Sequence, residues 1–155
     1  MLVLHVLCSL LSYAAFLVAF IAGMLFLVQE RQLKRKRMGL LFHRLPSLSF
    51  LDRTNFLMIS SGFWLLSAGL AFGLIGTRLW RGRWWTGDPK EYLTVTLWGA
   101  YCVLWLVRLR STLRGRRVAL LSILGFGFVL AAFAAVSWLV PSWHSLRMAR
   151  LAGAP

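Results

Sequence analysis

Acidic side chains are almost missing from this chain. Asp and Glu together number 4 of 155 residues, against 18 Lys and Arg. With 59% of residues hydrophobic, there is too little polar surface to coat a soluble globule, and the apolar excess must be solvated by hydrocarbon. Cysteine is equally scarce. Cys8 and Cys102 each stand inside an apolar run and outside any CxxC or CxxCH spacing. That leaves thiolate metal clusters and covalent haem attachment unsupported, and the two thiols read as small hydrophobes. No Walker loop, nucleophile elbow or HExxH pattern is present. No apolar run carries a charge at its middle, where a transporter or channel would show one.

The formal net charge of +14 raises the question of nucleic acid. The distribution of the charges argues against it: they fall in short blocks between long apolar runs, which is membrane-protein patterning. Those runs cover 2–28, 56–77, 92–107 and 118–140. Three exceed the ~20 residues needed to cross a bilayer core, and 92–107 lies at the short end of the range. The first run carries its basic residues after the apolar stretch, in Arg31 and Lys34–Arg37, so it reads as a span with a stop and not as a leader peptide. The expected fold is all-α: a single polytopic domain over 1–155, with four transmembrane helices in a bundle.

Orientation follows from the cations. Arg31, Lys34, Arg35, Lys36, Arg37, Arg44 and Arg53 lie between the first two runs, and Arg108, Arg110, Arg114, Arg116 and Arg117 between the last two. The remaining connection holds Arg78, Arg81, Arg83 and Lys90, and the tail Arg147 and Arg150. Twelve against six predicts both termini outside and two basic loops in the cytoplasm. The basic segment 31–53 is then expected to lie against the anionic leaflet, with His43 a solvated bystander.

This topology sends His5, His144 and the connecting loop 78–91 to the same outer face. That loop is rich in tryptophan: Trp80, Trp84 and Trp85. An interfacial aromatic belt is the ordinary reading. The alternative is a flat apolar platform for a planar ligand such as haem, with His5 and His144 as axial nitrogen ligands and Arg78, Arg81 and Arg83 near the propionates. The same arginines could contact lipid phosphate. Asp88, Pro89 and Glu91 read as N-cap, first helical residue and capping-box partner of the third span, fixing where the tryptophan loop leaves the membrane. Gly69-x-x-x-Gly73 reads as a close-approach packing motif, and Gly125 and Gly127 likewise.

Trp84-Trp85-Thr86-Gly87-Asp88-Pro89-Lys90-Glu91, followed by Thr96-Leu97-Trp98 and Tyr101, resembles the tryptophan-rich signature of the cytochrome c assembly family, which includes CcsA, CcmC, CcmF and HemX-like proteins. Leu4-His5-Val6-Leu7 with Leu11-Ser12-Tyr13-Ala14 resembles the family helix that carries a haem-ligating histidine. Arg114–Ala119 and Leu124-Gly125-Phe126 resemble the segment after the loop, and Trp143-His144-Ser145 the second external histidine. The chain looks like the C-terminal part of a longer member. The resemblance implies presentation of non-covalent, b-type haem at the outer face of a bacterial-type inner (plasma) membrane for attachment to apocytochrome c. Any catalytic part would be a share in a cytochrome c haem lyase system. His5 and His144 would be the iron ligands, Trp84 and Trp85 the platform, and Asp88, Arg81 and Arg83 further cofactor contacts. Membrane lipids and other cytochrome c assembly membrane proteins supplying further helices would be the partners, with no nucleic acid. The alternative is a non-catalytic scaffold subunit of a larger complex, to which Gly87, in place of the signature's tryptophan, and Leu106, where many CcsA proteins have a histidine, both point.

Overall fold

Four helices follow one another in this computed structural model: α1 (Leu2–Lys34), α2 (Leu48–Arg81), α3 (Pro89–Arg110) and α4 (Arg116–Leu139). The structure describes residues 2–35, 46–84, 87, 89–110 and 115–139. No strand occurs among the described residues. Val3–Lys34, Leu48–Trp80 and Glu91–Leu109 are long and apolar enough to cross a membrane. The chain is therefore an all-α, multi-pass membrane protein. α4 has 24 residues and carries its only charges, Arg116 and Arg117, in its first turn.

The helices outrun the apolar stretches that announced them. α1 continues through Gln29–Lys34 because these are mostly good helix formers, and Lys34 reaches back one turn to Glu30 at 2.7 Å. α2 begins at Leu48, with the Ser47 hydroxyl accepting from the Phe50 amide at 3.3 Å as its N-cap. The segment expected as a basic loop, 31–53, is thus helical at both ends: Arg31 and Lys34 belong to α1, Arg53 to α2. α2 also runs on to Arg81, so the tryptophan loop starts at Gly82 and not at 78. Gly82 closes the helix in the left-handed conformation (φ 67°), where its amide bonds the Arg78 carbonyl at 3.0 Å; any side chain would be strained there. With 33 and 34 residues, α1 and α2 are each about 50 Å long, well beyond the ~30 Å hydrocarbon core.

Neighbours in sequence are neighbours in space. The α1–α2 interface is by far the most extensive, α4 packs back on α1, and α3 bridges α2 and α4. Across the diagonal α1 meets α3 through side chains, with the Phe16 and Tyr101 rings stacked at 3.5 Å and 16°. Gly62 makes room for that stack: a Cβ there would lie 2.5 Å from Phe16 Cε1. Ile59, Phe63, Leu66, Leu97, Leu104, Val118, Phe126 and Val129 complete the core. Because hydrocarbon gives no hydrophobic reward for helix association, polar contacts help hold the bundle. Trp98 and Trp105 donate to Ser67 and Ser60 across α2 and α3 at 2.9 and 3.2 Å. Buried Asn55 donates to the Ala19 carbonyl at 2.7 Å and the Ser122 hydroxyl at 2.9 Å, joining α1, α2 and α4.

One end of the bundle is tied by a carboxylate. Asp52 Oδ2 accepts from Arg108 at 2.6 Å, and Asp52 Oδ1 from the Gly115 amide at 3.2 Å. The Arg108 side chain is 7% exposed and its guanidinium also lies over the Phe56 ring at 5.4 Å. Asp52 thereby fixes the end of α3 and the start of α4 against the start of α2.

Candidate functional site

The opposite end holds the start of α1, the end of α2 and the start of α3. α4 begins beside Asp52 and runs in the direction of α2, so Leu139 points towards this end too. From Ser122, level with Ala19, the axis advances ~1.5 Å per residue and draws level with His5 before α4 ends. The two histidines expected at this end differ. His5 is described; His144, five positions beyond Leu139, lies outside the described residues, as do Trp85 and Asp88.

His5 closes the first turn of α1, half-buried against α2. Its Nδ1 lies 2.7 Å from the Gly69 carbonyl oxygen. A carbonyl can only accept, so Nδ1 carries a proton and donates, and in the neutral ring Nε2 is then the nitrogen with the lone pair. The Gly69-x-x-x-Gly73 motif does mediate close approach, as its spacing predicts. What approaches is a specific part of α1: Ser9 lies over Gly69 and the His5 imidazole over Gly73. The Ser9 hydroxyl donates to the His5 carbonyl at 2.8 Å. Sequence alone reads the glycines and the histidine separately, because one helix's pattern does not state its register on another.

The tryptophan loop departs about two turns further along. From Gly73 to Arg81 α2 advances about 12 Å, so His5 and Trp84 share an end of the bundle at different depths. Arg78 lies with its guanidinium 5.7 Å over the Trp84 ring and donates to the Gly82 carbonyl, folding Trp84 back over the end of α2. Trp84 and Arg83 are exposed, and Trp80 is 90% exposed. Arg81 is the last residue of α2. Arg78, grouped from sequence only as a neighbour of the tryptophans, is thus the residue that places one of them. Pro89 opens α3 as its position predicts. Glu91 reaches back from the first turn, but to the Gly87 amide at 3.2 Å, one residue before the expected cap.

Chemically, this end offers one tautomer-defined imidazole, exposed indoles, and arginines beside them. Among the described residues no three of His, Cys, Asp or Glu gather as a metal cluster. A neutral imidazole whose other ring nitrogen donates to a carbonyl is the form in which histidine ligates iron, so the donor present fits a haem ligand.

The sequence matches the family described as cytochrome C assembly protein over residues 1–144. It is 34% identical over 107 residues to the cytochrome c biogenesis protein CcsA of Synechococcus sp. (strain JA-2-3B'a(2-13)), covering 69% of this chain and 31% of that protein. It is 32% identical over 163 residues to the CcsA of Prochlorococcus marinus subsp. pastoris (strain CCMP1986 / NIES-2087 / MED4), covering 93% of this chain and 52% of that one. The chain therefore spans about half, or less, of the length of these relatives. No solved structure matches it. With nearly the whole sequence, from ahead of His5 to His144, inside the match, the chain belongs to the cytochrome c assembly protein family.

Proposed function

We propose that this chain is a haem-handling membrane component of cytochrome c assembly, presenting b-type haem non-covalently at the outer face of a bacterial inner membrane. The observation that carries the reading is the seating of His5: a half-buried imidazole whose Nδ1 meets the Gly69 carbonyl, at the end of the bundle where the tryptophan loop emerges. His5 and His144 would hold the iron. Trp84 and Trp85 would cover a porphyrin face, Arg81 and Arg83 would neutralise propionates, and Asp88 with Glu91 would anchor the loop to α3. Bound there, haem supplies the reactive vinyl groups; the residues of this chain bind it, orient it and exclude water. Apocytochrome c is the proposed recipient. Other cytochrome c assembly membrane proteins, and the membrane lipids, are the further proposed partners.

An optical spectrum of the detergent-purified protein, supplied with haem, tests this. Two imidazoles should give a low-spin spectrum with sharp reduced bands. His5→Ala or His144→Ala should move it towards high spin or abolish binding, while His43→Ala should leave it unchanged. Wild-type protein without such a spectrum, matched by both histidine variants, would remove the ligand assignment.

The proposed topology, with α4 as the fourth span and both termini outside, has its own test. In a chain with Cys8 and Cys102 replaced by serine, an impermeant thiol reagent should label Arg83→Cys and not Lys36→Cys in intact cells. The reverse pattern inverts the topology and moves the site to the cytoplasm.

One observation favours the scaffold-subunit reading. Gly87 occupies the position where the family signature has tryptophan, and its φ of 76° lies in the left-handed region that a tryptophan would adopt only under strain. A scaffold would keep the four helices and show no haem spectrum.

A further inference from the structure

We infer that Gly69 and Gly73 are positioning residues that set the tautomer and the ring plane of His5. The inference rests on the haem reading only for its consequence at iron; the tautomer stands on the geometry alone. His5 Nδ1 is 2.7 Å from the Gly69 carbonyl oxygen, a group already inside the α2 hydrogen-bond ladder that uses its second lone pair for the imidazole. The ring reaches that oxygen only because residue 73 has no side chain. A Cβ at Gly73 would stand 2.9 Å from Nδ1, 3.1 Å from Cε1 and 3.7 Å from Cγ. The atom it would crowd most is the one that makes the bond. An aromatic ring cannot yield at one atom; it must rotate or withdraw as a unit, and either movement takes Nδ1 away from the carbonyl.

Gly69 plays a different part. A Cβ there would meet the Ser9 hydroxyl at 3.1 Å and Cys8 Cβ at 3.4 Å, and not the imidazole. Its contribution to His5 is its carbonyl, which alanine would keep. Gly76, one turn beyond Gly73 on the same helix, has nothing within 4 Å of where its Cβ would be. The three glycines therefore form a graded series, in which only substitution at 73 acts on the ring directly.

The consequence is a histidine prepared for ligation before any ligand arrives. Free imidazole side chains in water favour the proton on Nε2, the nitrogen that reaches farthest from the chain and the usual ligand atom. The Gly69 carbonyl reverses that preference, so no proton need be moved when iron binds.

Nitrogen-15 NMR of histidine-labelled, haem-free protein in detergent, at a pH where imidazole is neutral, tests the seat without haem. The His5 resonances are assigned by their disappearance in His5→Gln. Wild type should show His5 as a single Nδ1–H tautomer. Gly73→Ala should convert it to a mixture weighted to Nε2–H, Gly69→Ala should change it little, and Gly76→Ala not at all. A wild-type His5 carrying its proton on Nε2 overturns the inference, as does a Gly73→Ala spectrum identical to wild type. Should Gly73→Ala fail to accumulate, the wild-type tautomer alone decides. With haem added, Gly73→Ala should lose or broaden the low-spin bands while Gly76→Ala retains them. Absence of those bands in wild type, with the tautomer pattern intact, would refute the haem reading and leave the seat standing.

Discussion

The two ends of the bundle are built on opposite principles. At the Asp52 end a single carboxylate uses both oxygens, on an arginine from α3 and an amide ahead of α4, and the guanidinium is sealed under Phe56. At the His5 end the imidazole bonds to a backbone carbonyl of the neighbouring helix, and the indoles Trp80 and Trp84 stand exposed. A saturated ionic knot fixes geometry at one end. A lightly tethered imidazole and uncovered aromatic surface leave chemistry available at the other. Under the proposed function, the first end holds the fold together and the second would meet the ligand.

The sharpest way to break this comparison is to remove the knot. Asp52→Ala removes the carboxylate that both Arg108, 7% exposed, and the Gly115 amide donate to. Breaking a buried pair from one side costs about 3–5 kcal/mol, so detergent-solubilised Asp52→Ala should unfold at a markedly lower temperature or fail to accumulate. The His5 tautomer of whatever folds should be wild type, since the two ends are far apart along α2. A melting temperature within a few degrees of wild type would show that the Asp52 end is not the anchor.

The middle of the bundle gives the next largest effect. Gly62→Ala would put a Cβ 2.5 Å from Phe16 Cε1, and Phe16 cannot retreat because its other face is stacked on Tyr101. Overpacking of this kind costs about 1–3 kcal/mol. Thermal unfolding should register it, and Gly62→Ala combined with Phe16→Leu should recover much of the loss. Failure of the double variant to recover would mean that the close approach of α1 and α2, and not this ring, sets the limit.

How far all this was legible depends on the range over which each feature acts. The apolar runs reveal the helices, because a bilayer solvates nothing else so well. They misplace the ends, because Gln29–Lys34 and the turns before Phe56 are polar yet helical, and hydropathy has no view of the bond between Glu30 and Lys34. The run 92–107 looks marginal for a span, yet α3 has 22 residues once Pro89 and Glu91 start it outside the apolar run. The glycine motif on α2 is legible as packing; that His5 occupies it is not, since the register of α1 on α2 is a property of the pair. Asp52, Arg108 and Gly115 lie 56 and 63 positions apart, so nothing local marks them as partners. For the candidate site, residue types and spacing point to His5 and the loop, and the structure adds the hydrogen bond and the Arg78–Trp84 stack that no spacing contains.

The smallest expected effect is also the one that separates a helix glycine's cost from a seat's function. Glycine in a helix interior is less favourable than alanine by about 0.8–1 kcal/mol, because it has more backbone freedom to lose. Where nothing opposes an added methyl group, substitution should therefore stabilise. Gly76 has nothing within 4 Å of its would-be Cβ, and it lies inside α2 with no positive φ to preserve. Gly76→Ala should raise the unfolding temperature slightly. At Gly73 the same intrinsic gain is set against a 2.9 Å approach to the His5 ring, which can swing aside at modest cost, so Gly73→Ala should come out close to neutral in stability. The pair would then differ little in melting temperature and greatly in the histidine spectrum. A Gly73→Ala variant that gains as much stability as Gly76→Ala and keeps the wild-type tautomer would show that the imidazole never pressed on that glycine, and the contrast between the two ends would lose its physical basis.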